Sequence, residues 1–319
     1  MPTNVDTRDL FIKTERPDPE LFYSRNDPND PRMGDIVSHD PTGYDNAEIV
    51  ILGCPQDEGV HRNLGRRGSA KAPRAIRQAF YKLSAPSEAG THYLYDIGDT
   101  VIQPTLEDTH RVHAEIVERI LADGKRLIVL GGGNDISYPD CLGLSRVASP
   151  VLAINVDSHF DVREDDRPTS GTPYRQLLDQ GVLDPAMFFE VANKPEANSA
   201  EYLEYLQGKG VHVHPLTDVR AKGIDGLFRP ILNDHTADAI FWGIDMDSVR
   251  TNDAPGVSAS YPIGLTAEEI YEIATIAGGD LRTRLIEFSE VNPEYDVDHR
   301  TAKLVGMLMV AAIAATAGR

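Results

Sequence analysis

Apolar residues along this chain gather in short runs rich in Val, Ile and Leu, and several runs stop at a glycine or an aspartate. Residues 47–53, 127–130, 151–156, 239–244 and 285–289 show little alternation of polar and apolar positions. Short, continuously apolar runs bounded by turn formers read as strands buried on both faces, the habit of parallel sheets. Residues 93–97, 187–191 and 211–215 read as further strands. Between the strands the spacing becomes helical. It predicts helices over 73–83, with Pro73 in the first turn, and over 109–121, opening at Thr109 as cap. Others are predicted over 199–208, stopped by Gly210, over 225–233, over 266–278 with Thr266 and Glu269 as a capping box, and over 300–317.

Strand and helix signals alternate without repeat or linker. That pattern predicts one domain over 46–319, a central, mostly parallel sheet of roughly eight strands with helices on both faces. Residues 1–45 are rich in Pro, Asp, Asn and Arg and lack periodicity. They predict an extended arm with one short helix, lying against the body or a neighbouring subunit.

Three of the apolar runs end in potential metal ligands. One leads into Gly131-Gly132-Gly133-Asn134-Asp135, one into Asp157-Ser158-His159-Phe160-Asp161, and one into Asp245-Met246-Asp247. In open α/β sheets the ligand site lies beyond the carboxyl ends of the strands, so these clusters can converge there. In an extended segment Asp157, His159 and Asp161 share one face. Imidazole with carboxylates and no thiolate suits a divalent ion such as manganese, with nickel, iron or zinc as alternatives. The bland reading is an acidic surface turn. The glycine run is neither GxGxxG nor GxxxxGK[ST], which argues against a nucleotide loop.

Composition sharpens this picture. Asp and Glu number 50 against 31 Lys and Arg, for a net charge of −19. Such a surface argues against nucleic acid or anionic membrane as partner. Part of the excess is explained if carboxylates bind cations. The cysteines, Cys54 and Cys141, have no CxxC spacing, which excludes a zinc ribbon or disulfide framework and fits a reducing cytoplasm. Residues 1–6 have neither a basic start nor an apolar core, so no secretory signal is expected. The longest apolar stretch, 305–316, is too short to span a bilayer.

An ordered set of motifs resembles the ureohydrolases, the family of arginase, agmatinase and formimidoylglutamase. The set is Leu-Gly-Gly-Gly-Asn-Asp at 130–135, Asn-Val-Asp-Ser-His-Phe-Asp at 155–161, Ser-Gly-Thr-Pro-Tyr at 170–174, Gly-Ile-Asp-Met-Asp-Ser-Val at 243–249 and Glu-Val-Asn-Pro-Glu-Tyr-Asp at 290–296. The resemblance covers residues 46–317 and implies a three-layer α/β/α fold with two Mn²⁺ ions bridged by hydroxide. It implies that Asp157 and Asp245 bridge both ions, that Asp161 completes one site, and that His159 and Asp247 complete the other. Asn134 stands where the family usually has a histidine ligand. An amide oxygen is the weaker donor, so the resemblance implies a labile first ion or, alternatively, a metal-poor and silent protein.

Ser170 stands where arginases and agmatinases usually carry a proton-shuttling histidine, and this chain is similar to formimidoylglutamases there. Their substrate is a small anionic amidine, so a basic anchor is expected. Arg62, Arg66 and Arg67 in the loop after the first strand, and Arg163 and Arg175 near the metal motif, are candidates, with Ser170 beside them. The bland alternative is that each arginine pairs with the chain's own acids. By resemblance Glu290 pairs with the amidinium-type head, and Asp247 or Asp161 passes a proton to the leaving amine. The implied reaction is N-formimidoyl-L-glutamate and water to L-glutamate and formamide, a late step of histidine breakdown. The alternative is a guanidino-compound hydrolase releasing urea. The resemblance also implies a trimer or hexamer. His110, His113, His212, His214 and His235 are expected to be surface or helix residues.

Overall fold

The computed structural model describes residues 8–87 and 93–317. The segment read for a leader signal lies outside them. The strands are β1 (Thr14–Glu15), β2 (Val37–Ser38), β3 (Ile49–Gly53), β4 (Leu94–Thr100), β5 (Arg126–Leu130), β6 (Val151–Val156), β7 (Phe188–Asn193), β8 (His212–Pro215), β9 (Ala239–Asp245) and β10 (Thr283–Ser289). They form one sheet in the order β1-β4-β3-β5-β10-β9-β6-β7-β8, with β2 beside β4. The stretch from β4 to β8 in that order is parallel throughout, and β1 runs antiparallel to β4. The expected parallel sheet is therefore present. Segment 1–45 adds β1 and β2 to its edge, two short strands that carried no apolar run to announce them.

Alternate residues of the strands feed two separate cores. Ile49, Ile51, Ile128, Leu130, Ile154, Trp242 and Phe288 face one; Val50, Leu52, Leu127, Val129, Ala153, Phe241 and Leu285 face the other. Helices Ala72–Phe80, Ala267–Gly279 and Arg300–Ala317 cover the first, and helices Leu106–Ala122, Ser137–Ser145 and Pro173–Asp179 the second. This three-layer packing explains why the strand runs are apolar without alternation.

Helix ends follow local chemistry. Ser199 accepts from Tyr202 N, Gly210 closes helix Ala200–Lys209 in a left-handed conformation, and both capping-box bonds of Thr266 and Glu269 form. One cap differs from expectation. Helix Leu106–Ala122 starts a turn before Thr109, and Thr105 accepts from Asp108 N at 3.1 Å. Glu107 and Asp108 hide the first turn from an apolar pattern, yet acids are favoured there by the helix dipole. Helices Ser137–Ser145 and Pro173–Asp179 carried no readable apolar stripe. No helix among the described residues is long and apolar enough to cross a membrane.

Candidate metal centre

The strands β5, β10, β9 and β6 lie side by side, and all run the same way. Their carboxyl ends therefore open onto one stretch of sheet edge. After β5 the chain passes so close to the Gln56 carbonyl that a Cβ on Gly132 would collide with it. Asn134 follows in a 3-10 turn, and its amide N–H donates to Glu290 Oε1 at 3.0 Å. After β6 comes Asp157, whose Oδ1 accepts from His159 N at 2.7 Å. Asp245 ends β9 and accepts from Asp247 N at 2.8 Å, which turns the Asp247 side chain back toward the edge. Asp161 and Glu290 hold positive φ, 46° and 61°, so segment 157–161 is not the extended ladder expected from alternate spacing. Backbone strain at non-glycine residues gathers where geometry serves a site.

Two overlapping groups result. Asp157, His159 and Asp247 present ligand atoms within 4.8 Å of one another, and so do Asp157, Asp161 and Asp245. Asp157 belongs to both. Nδ1 of His159 lies 3.0 Å from Asp247 Oδ2 and 3.5 Å from Asp157 Oδ1. The electrostatics are those of a cluster short of positive charge. Burial, then the charge of Asp247, pushes Asp157 up to about 6. Burial and neighbouring acids push Asp161, Asp245 and Glu290 well above the ordinary carboxylate range. Burial opposes charging of His159, but Asp247 and Asp157 outweigh it and raise the imidazole. Burial also works against Asp247, and there His159 wins and holds the carboxylate low.

This donor set fits a pair of divalent cations. Among the described residues, Oδ1 of Asp247 is buried without a hydrogen-bond partner, although buried polar atoms are normally satisfied. Oxygen and imidazole donors without thiolate suit manganese-like ions. Asn134 departs from a ligand's posture. It turns Nδ2, a donor, toward Asp161 Oδ2 at 2.6 Å and Asp157 Oδ2 at 3.2 Å. Its Oδ1, the atom a cation needs, accepts from Ser137 at 3.0 Å and Ser289 at 2.8 Å. In this structure the Asn134 amide buttresses the acids.

The arginines divide sharply. Arg62 is tied to Glu58, Glu107 and the Pro168 carbonyl. Arg66 donates to the Ser258 and Val257 carbonyls and lies over the Tyr295 ring, and Arg67 pairs with Asp57 and Glu58. Arg175 donates to the Val162 carbonyl and stacks on Tyr205. These four do not stand as free anchors, because acids and carbonyls of adjacent loops claim their guanidiniums. Arg163, two residues after Asp161, is exposed, and its guanidinium has no hydrogen-bond or ion-pair partner among the described residues. A Cβ on Gly171 would come within 2.6 Å of Arg163 Cδ, so the Ser-Gly pair leaves room for this stem. Ser170 is buried beside it and accepts from Asn63 Nδ2 at 3.1 Å.

Asp135, adjacent to Asn134, points away and is held by Gln56 at 2.7 Å and His110 at 2.6 Å. His110 and His113 sit on a helix as expected, but buried. His113 bonds Asp140 at 3.0 Å and Thr100 at 2.6 Å. Sequence reading missed Tyr261, whose hydroxyl lies 3.2 Å from His159 Nε2, and Lys194 beside it. Tyr261 sits in an irregular loop with no periodicity to mark it.

The arginase family model matches residues 47–315. The chain belongs to the arginase family. A formimidoylglutamase of Staphylococcus carnosus is 34% identical over 269 residues, 81% of this chain and 84% of that protein. Among solved structures, formiminoglutamase of Trypanosoma cruzi with Mn²⁺ superposes with a TM-score of 0.85 at 34% identity, covering 91% of this chain and 99% of that one. Formimidoylglutamase of Bacillus subtilis gives 0.85 at 28% identity, covering 92% and 94%. Arginase-family membership thus accords with the two overlapping ligand groups at the sheet edge and with the open parallel sheet.

Proposed function

We propose that this chain hydrolyses N-formimidoyl-L-glutamate to L-glutamate and formamide with two Mn²⁺ ions. The observation that carries the reading is the pair of ligand groups sharing Asp157, with one unclaimed guanidinium two residues from Asp161. The similar proteins named above support the choice of substrate and metal. Asp157, His159, Asp161, Asp245 and Asp247 hold the ions, and Asn134 steadies two of those acids. Bound there, divalent ions supply Lewis-acid activation of a water and neutralise the crowded carboxylates.

The chain's own groups do the rest. Glu290, fixed by the Asn134 N–H, takes the cationic formimidoyl head. Arg163 takes a substrate carboxylate in bidentate fashion, with Ser170 lining the approach. Asp247, whose Oδ1 has no hydrogen-bond partner among the described residues, would carry the proton lost by the attacking water to the leaving amine. The enzyme works in the cytoplasm as a homo-oligomer of this chain. Incubation with formimidoylglutamate, arginine and agmatine in parallel, at saturating Mn²⁺, tests the reading. Glutamate and formamide from the first substrate alone are expected. Urea from arginine or agmatine, with no formamide, assigns the chain to guanidino compounds instead.

A further inference from the structure

A metal-binding histidine offers one ring nitrogen to the ion, and the partner of its other nitrogen fixes tautomer and orientation. In His159 the two nitrogens are clearly divided. Nδ1 faces Asp247 and Asp157, and Nε2 faces the Tyr261 hydroxyl at 3.2 Å. Tyr261 is in turn pinned at three points. Its hydroxyl meets His159, its carbonyl accepts from Thr251 N at 2.7 Å, and its ring lies 4.2 Å from the Lys194 ammonium. The same ammonium donates to the Ile263 carbonyl at 3.0 Å, two residues further on. Lys194 is 5% exposed and has no carboxylate in hydrogen-bond contact among the described residues. A buried lysine without an acid partner is costly, and here its charge is spent on one aromatic face and one carbonyl. Its own backbone N–H bonds the carbonyl of Ser158, next to His159, at 3.1 Å. Lys194 therefore ties the loop of Tyr261 to the strand end that carries His159.

We infer that Tyr261 is a positioning residue for His159, accepting the Nε2 proton so that Nδ1 keeps a lone pair for the cation, and that Lys194 sets the place of Tyr261. The inference rests on His159 being a metal ligand, and it is independent of which amidine is hydrolysed. A neutral imidazole with its proton on Nδ1 cannot bind an ion through that atom. An acceptor at Nε2 keeps that proton in place when an ion displaces the one that Nδ1 directs at Asp247.

The test is Mn²⁺ titration of the metal-free full-length protein, followed by electron paramagnetic resonance of free Mn²⁺. Tyr261→Phe removes only the hydroxyl and keeps the ring under Lys194. It is expected to weaken Mn²⁺ binding roughly 10- to 100-fold, as loss of an outer partner typically does. Its metal-free thermal midpoint and, at saturating Mn²⁺, its KM stay at the parent values. Lys194→Met is expected to weaken binding in the same direction by less, and Lys194→Arg to restore it. Mn²⁺ affinity of Tyr261→Phe within twofold of the parent overturns the inference. A parent protein that takes up no Mn²⁺ overturns instead the reading of the metal centre.

Discussion

Two clusters of buried charge in this protein differ in one respect that separates structure from chemistry. Around Arg77, which is 1% exposed, every charge is answered. Its guanidinium reaches Asp96 at 2.7 and 3.0 Å and also bonds Asp99 and the Gly98 carbonyl, while Tyr81 donates to Asp96. At the ends of β6, β9 and β10 the buried acids Asp157, Asp161, Asp245, Asp247 and Glu290 outnumber the single imidazole of His159, and among the described residues Oδ1 of Asp247 has no hydrogen-bond partner. The first cluster is closed and can only hold the fold together. The second is open and fits cations from outside. An unbalanced buried cluster points to function because unpaired buried charge is too costly to keep without a use.

The comparison can be broken most forcefully at Arg77. Arg77→Met leaves Asp96 buried without its cation and is expected to cost about 3–5 kcal/mol of stability, read by denaturant unfolding. Metal content of the folded fraction should not change. If Mn²⁺ binding fell without loss of stability, the two clusters would not be separate.

The open cluster should respond to pH in the absence of metal. Asp157 is raised to about 6 in the folded chain from an ordinary 3.8, so the folded state holds its proton more tightly than the unfolded one. That contribution is fully present below the ordinary value and is lost as pH rises through about 6, on the order of 3 kcal/mol. Asp161, Asp245 and His159 are shifted the same way. Metal-free protein should therefore melt at lower temperature at pH 8 than at pH 5, and saturating Mn²⁺ should raise the midpoint at pH 8 most. A flat metal-free profile across that range would refute the charge imbalance.

The arginines repeat the contrast at smaller scale. Arg163→Met removes the unclaimed guanidinium and is expected to raise KM for formimidoylglutamate roughly 10- to 100-fold, as for loss of a charged hydrogen bond. Arg67→Met, whose partners are Asp57 and Glu58, should leave KM within about twofold. Equal effects at both positions would erase the distinction. Among the variants expected to change binding, Asn134 gives the smallest effect. Asn134→His replaces a donor group by an imidazole and should slow Mn²⁺ loss to chelator by about tenfold. Unchanged retention would show that this position is no ligand in either form.

The strands from β3 onward, the two-sided burial of the sheet, and the gathering of Asp157, His159, Asp161, Asp245 and Asp247 at its edge were readable along the chain. They rest on local facts: apolar runs that suit a doubly covered strand, and acids placed where such runs stop. Other matters needed the folded molecule. Strand order puts β10 between β5 and β9, which brings Glu290 to Asn134 across 156 positions of sequence. The orientation of the Asn134 amide is set by Ser137 and Ser289, and which guanidiniums are claimed, those of Arg62, Arg66, Arg67 and Arg175, depends on the segments packed beside them. Tyr261 meets His159 only through tertiary packing. Periodicity reports which face of an element is buried, whereas a side chain's partner depends on what other segments bring within about 3 Å.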